Sequence, residues 1–139
     1  MAVKIIAINM EGIKISNCSG NFRSILAFDG KLCTFDGTLI DIDVADVDGL
    51  TYIKNNGWYH WSRDNAQVKS ELIVEDEFLS CVYYLGKYFA ITSDKIYHLD
   101  NQELTMRSLS NQVRMICSNG LIIILTEDGS LYRYHINSR

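Results

Sequence analysis

Three histidines, four cysteines, a run of aspartates and one aromatic cluster are the side chains from which chemistry could be built in this chain. His60, His98 and His135 lie 38 and 37 residues apart. Neutral imidazoles are common metal ligands, and three meeting on a symmetry axis could hold an ion such as zinc. His60 and His98 each follow a tyrosine in the same local context, but Arg133 fills the third such position and His135 is offset from it. Ordinary surface or interface histidines are therefore expected, and no metal site. Cys18, Cys33, Cys81 and Cys117 are separated by 15, 48 and 36 residues, with no close pair to grip a metal or run thiol exchange. Free, mostly buried thiols are expected. Asp36, Asp41, Asp43, Asp46 and Asp48 offer the oxygen ligands that calcium takes, but Ala45 breaks the EF-hand register at its third acidic position. A solvated strand face with turn aspartates is expected, Asp41 and Asp43 sharing one face. No Ser-His-Asp or Cys-His arrangement is recognisable, and the glycine-bearing segments Asn55-Asn56-Gly57 and Asn119-Gly120 read as hairpin turns rather than phosphate loops. No catalytic residue and no cofactor is expected.

The least generic segment is Trp58-Tyr59-His60-Trp61, which holds both tryptophans, with Arg63 just beyond it. On a strand Trp58 and His60 would face one way and Tyr59 and Trp61 the other. If Tyr59 turns inward, one tryptophan sits near the surface, and exposed Trp with His and Arg is common material of a binding hot spot. Trp58, His60, Trp61 and Arg63 are therefore the expected partner-binding residues. Packing of both indoles between neighbouring sheets is the competing reading.

The elements that must carry these residues follow from composition and punctuation. The chain has 139 residues, 47% hydrophobic and 22% charged, with a net charge of −4 and no proline. That size suits one domain able to bury a real core, and the apolar fraction excludes disorder. Neither half carries an excess of basic residues, so nucleic-acid binding is not expected. No apolar run approaches the roughly 20 residues of a membrane helix. The N-terminus places Lys4 before only a handful of apolar residues and lacks a small-residue cleavage site, so it does not read as a secretory signal. A cytoplasmic location is expected.

Short runs of Ile, Val, Tyr, Phe and Thr recur between Gly, Asn, Asp and Ser, and an amphipathic helix is hard to find. Residues 70–80 are the one helical candidate, but a strand over 71–74 fits better. The chain reads as all-β. Self-similarity divides it further. Asn119-Gly120, a strand, then Asp128-Gly129-Ser130-Leu131-Tyr132 repeats the order of Ser19-Gly20, a strand, then Asp29-Gly30-Lys31-Leu32-Cys33, at a spacing of 99 or 100 residues. Two more copies lie between, so that Leu32, Trp58, Ile96 and Leu131 align with steps of 26, 38 and 35 residues. The predicted units are 11–43, 44–76, 77–110 and 111–139. The last lacks a fourth strand, which a strand over 3–8 would supply from the other end of the chain, closing a ring and protecting its edges.

These Asp-Gly-x-Leu-Tyr units resemble blades of the β-propeller superfamily, particularly regulator-of-chromosome-condensation-like and quinoprotein-like repeats. The resemblance covers nearly the whole chain and implies a small propeller of about four blades with the N-terminal strand completing the last. Its motif is generic: the units are fewer than in those families, and the tryptophan that usually ends a quinoprotein blade is absent. The ring could close within one chain or between two chains. A rigid propeller without a catalytic group most often presents loops and blade faces to other proteins. The expected function is a non-enzymatic protein–protein interaction or structural module, a subunit or adaptor in a larger assembly, with homo-oligomers possible. A carbohydrate-binding propeller is the alternative.

Overall fold

The computed structural model describes residues 13–65, 67–109, 112–118 and 121–134. β-Branched and aromatic residues pack well on a pleated surface, and left-handed turn residues reverse the chain between them. Four antiparallel sheets follow one another along the chain. The first holds β1 (Lys14–Ile15), β2 (Ser24–Leu26), β3 (Leu32–Thr34) and β4 (Leu39–Asp41). The second holds β5 (Val44–Asp48), β6 (Thr51–Lys54), β7 (Gly57–Asp64) and β8 (Gln67–Glu75). The third holds β9 (Ser80–Tyr84), β10 (Lys87–Ile91), β11 (Lys95–Asp100) and β12 (Glu103–Ser108). The fourth holds β13 (Gln112–Ser118), β14 (Leu121–Thr126) and β15 (Leu131–Tyr134).

In each sheet the strands pair in sequence order. The first strands of neighbouring sheets touch, β1 with β5, β5 with β9 and β9 with β13, so they lie innermost while β4, β8 and β12 lie outermost. This is the architecture of a four-bladed β-propeller. The segment 70–80 is not helical; β8 runs through its first part. The strand expected over 3–8 lies outside the described residues, among which the fourth sheet has three strands.

The core sits between the sheets. Leu26, Leu32, Val44, Val47, Tyr52 and Trp61 fill the layer between the first and second. Ile53, Trp58, Phe78, Cys81, Ala90 and Tyr97 fill the next. Val82, Phe89, Ile91, Ile96, Ile122 and Ile124 fill the third. A sheet with a neighbour on each side has no face left for water, so its strands carry apolar residues at odd and even positions alike.

The acidic run departs from the expected solvated face. Asp41 ends β4, whereas Asp43, at φ +58°, lies in the link to β5, so the two share no strand face. Asp46 and Asp48 on β5 are buried. Asp46 takes the Lys14 ammonium at 2.6 Å on one oxygen and the Cys81 N–H at 3.0 Å on the other. Asp48 accepts the Asn17 N–H at 2.7 Å and the Tyr83 N–H at 2.9 Å. Each carboxylate thus clamps the first and third sheets to the second. The reason is topological: an innermost strand such as β9 pairs on one side only, so its free N–H groups need acceptors, and a carboxylate has two oxygens to offer. Burial of Asp48 raises its pKa, although the Tyr83 N–H and the Lys14 charge oppose the rise. For Lys14 burial alone would lower the pKa, but the Asp46 carboxylate outweighs it and holds it raised.

The turn that follows Asp48 admits only glycine. Gly49 sits at φ +56°, and a Cβ there would lie 2.7 Å from the Tyr88 ring and 2.8 Å from Tyr83 Cβ.

Candidate binding groove

Strand β7 carries the aromatic cluster and directs it alternately to its two neighbouring sheets. Trp58 points to the third sheet, its ring centroid 6.0 Å from that of Phe78. Trp61 points to the first, among Leu26, Leu32 and Val44. Both indoles are 0% exposed, so both pack between neighbouring sheets, as one of the two sequence readings had it, and neither reaches the surface. Alternation does set the two apart as expected, but both faces of the sheet are covered. Neither indole N–H finds a partner among the described residues.

Arg63 lies on the Trp61 side. Its guanidinium donates to Asp36 Oδ2 at 2.9 Å and to Thr38 Oγ1 at 3.2 Å, tying β7 to the β3–β4 turn. With the Thr34 and Thr38 hydroxyls it holds the Asp36 carboxyl well below the usual range. The residue is a brace between sheets. His60 is half-buried on the opposite face, its ring edge-on to Tyr88 at 6.2 Å, with Glu71 as its cross-strand partner on β8. Burial lowers its pKa against the opposing Glu71 charge, so the ring is neutral near pH 7. The four residues expected to bind a partner therefore divide into two enclosed indoles, one inter-sheet ion pair and one groove residue. His98, on β11, stacks on Phe89 at 4.6 Å. His60 and His98 both lie on third strands, away from the innermost strands, and no metal-ligating cluster occurs among the described residues. His135 lies outside them.

His60 opens into a groove of about 680 Å³ between the second and third sheets, lined also by Glu71 and Leu72 of β8, Tyr88 of β10 and the Asn101-Gln102 turn. The Tyr88 hydroxyl is pushed up to about 12, first by burial and then by the nearby Cys18 and Tyr83, so it stays protonated. The groove offers neutral donors, the Glu71 carboxylate, the Lys69 ammonium and apolar walls. Such a set can bind and orient a ligand. The Cys81 thiol, in the core layer between the second and third sheets, is fully buried, and burial pushes its pKa well up, which leaves it unreactive.

Sequence reasoning passed over the turn at the rim. Leu85 and Gly86 join β9 to β10 at φ +49° and φ +81°, the signature of a type I′ hairpin turn. Asn or Gly is the usual first residue there, because a left-handed conformation strains a bulky side chain. Leu85 is nonetheless 78% exposed. The signal was available: Leu85-Gly86 is the only two-residue break between Tyr84 and Lys87, so the leucine had to take the position that asparagine normally fills.

No protein-family model and no curated protein matches the chain. Among solved structures it is similar to the crystal structure of the computationally designed Ika4 protein, at 15% identity and a TM-score of 0.49, over 89% of this chain and 92% of that chain. The class of the molecule rests on its own sheets: a small all-β protein with a four-bladed propeller arrangement. No helix among the described residues is long and apolar enough to cross a membrane.

Proposed function

We propose that this chain is a non-enzymatic interaction module, a subunit or adaptor, and that another protein docks at the groove between the second and third sheets. The observation that carries this reading is Leu85. Holding a leucine left-handed works against folding by about 1 kcal/mol, and its exposure recovers nothing by burial within the chain. A strained residue is an entry to a functional hypothesis when the surrounding structure holds it in place. Here Tyr83 and Tyr88, packed at 4.9 Å on either side of the turn, hold it. An apolar anchor beside a polar groove is the arrangement of an interface centre with its rim.

A second reading draws on the groove itself. Glu71, Asn101 and Gln102 around Tyr88 supply the mixed donors and acceptors, beside a ring, that a sugar takes. The cytoplasmic location belongs to the same proposal and is supported by the free thiols of Cys18, Cys33 and Cys81.

Affinity capture from the native source with wild type, Leu85→Asn and His60→Ala separates the readings. A stoichiometric protein retained by wild type and depleted about tenfold by Leu85→Asn supports the module. Equal recovery by all three removes the groove from the interface. Glycan-array binding that Tyr88→Phe weakens would replace the module with the carbohydrate reading.

A further inference from the structure

The outermost strands differ in how much of them the molecule covers. β4 and β8 each include half-buried residues, whereas all six residues of β12 are exposed. Among the described residues β12 pairs with β11 alone, and Leu104 and Met106 stand on it 38% and 53% exposed. Natural edges of this kind are usually blunted by charged side chains, proline, a bulge or a covering loop, and the charges on β12, Glu103 and Arg107, are of opposite sign. β12 contains no proline and its register with β11 is continuous from Lys95↔Ser108 to Asp100↔Glu103.

The register also settles which backbone groups are free. The Leu109 N–H donates to the Asp94 carbonyl at 2.8 Å, which makes that pair a hydrogen-bonded one. In an antiparallel ladder such pairs alternate, so Arg107, Thr105 and Glu103 spend their backbone groups on β11. The N–H and C=O groups of Leu104, Met106 and Ser108 point outward.

We propose that two copies of this chain associate through β12, edge to edge and antiparallel, about a two-fold axis at Thr105. That register sets the outward-facing Leu104 of one copy opposite the outward-facing Met106 of the other, so four backbone hydrogen bonds form. It also makes both sheet faces self-complementary. On one face Leu104 lies across from Met106. On the other Glu103 lies across from Arg107, twice by symmetry, with Thr105 across from Thr105. Neither Glu103 nor Arg107 has an ion-pair partner among the described residues. Cross-strand apolar and opposite-charge pairs are what stabilise a sheet, and like charges directly opposite work against it. Registers displaced by one residue would set outward groups against groups already bonded to β11. Registers displaced so that the axis falls one residue either side would pair Arg107 or Glu103 with Thr105. The interface is isologous, so it closes at two copies and does not propagate.

Sedimentation equilibrium across a wide concentration range tests this with Glu103→Arg and Arg107→Glu. Both residues are exposed, so circular dichroism should match wild type. Each variant alone places like charges opposite each other twice and should dimerise about tenfold more weakly than wild type. Mixing the two in equal amounts restores opposite charges at both positions and should recover wild-type dimerisation. A wild type that stays monomeric throughout overturns the proposal, as does a dimer that neither variant weakens. So does a mixture that fails to recover.

Discussion

Asp48 shows what one side chain does when it must serve two sheets. Its oxygens hold the Asn17 and Tyr83 N–H groups, and an orphaned buried N–H costs about 1–3 kcal/mol. Asp48→Ala is expected to lower unfolding stability by about 2–4 kcal/mol, whereas Asp48→Asn, which keeps one acceptor, should cost about half of that. Chemical denaturation of both variants checks the ratio. For the enclosed indoles no hydrogen bond is at stake, so Trp58→Phe should cost about 1–2 kcal/mol and Trp58→Ala about 3–5 kcal/mol. Near-equal losses would mean the N–H is bonded after all. His60 carries the pH dependence. Burial lowers its folded pKa below the ordinary 6.5, so the unfolded state binds more protons in that window. Its contribution is complete above pH 6.5 and is lost as pH falls through the lowered folded value. Denaturant midpoints at pH 7.5 and pH 5 should therefore differ less in His60→Gln than in wild type. These roles were poorly legible in the sequence. Acids spaced two apart on a strand look like a solvated face, because the backbone N–H groups that they serve lie about 30 residues away and leave no mark on composition.

The turns were the most legible elements, and the clearest tests lie there. Asp-Gly pairs and apolar runs located the strands because left-handed turn positions admit few residue types. What they did not reveal was crowding around a turn. Gly49→Ala should destabilise the protein by about 2 kcal/mol or more, since the new Cβ meets Tyr83 and Tyr88 and the residue is left-handed. At Leu85 the expectation reverses: Leu85→Asn relieves strain and should raise the thermal midpoint while it weakens partner binding, a combination that damage to the fold cannot produce. Thermal melts and capture yields on the same samples check it. The alternation along β7 was equally readable, and it placed Trp58 and Trp61 on opposite faces. Burial of both was one of two readings the sequence left open, because a strand in isolation does not announce that its sheet is covered on each side.

At the scale of the whole molecule, four repeats with a common turn grammar were enough to infer a four-bladed arrangement, and the sheets are four. The packing between them explains why: the second and third sheets each carry two apolar faces, and a neighbouring sheet on either side removes both from water. The sequence expectation that residues 3–8 supply a further strand is tested by deleting residues 1–10. Loss of stability or new self-association supports it, and an unchanged denaturation curve and mass refute it. The two clamping carboxylates have a consequence for where the chain can be cut. The link over 76–79 joins the second and third sheets covalently, but Asp46, Asp48 and the layer around Trp58 and Phe78 join them a second time. Two coexpressed fragments divided in that link should find each other and reassemble, which would make this small ring a splittable scaffold whose halves report on their own reunion.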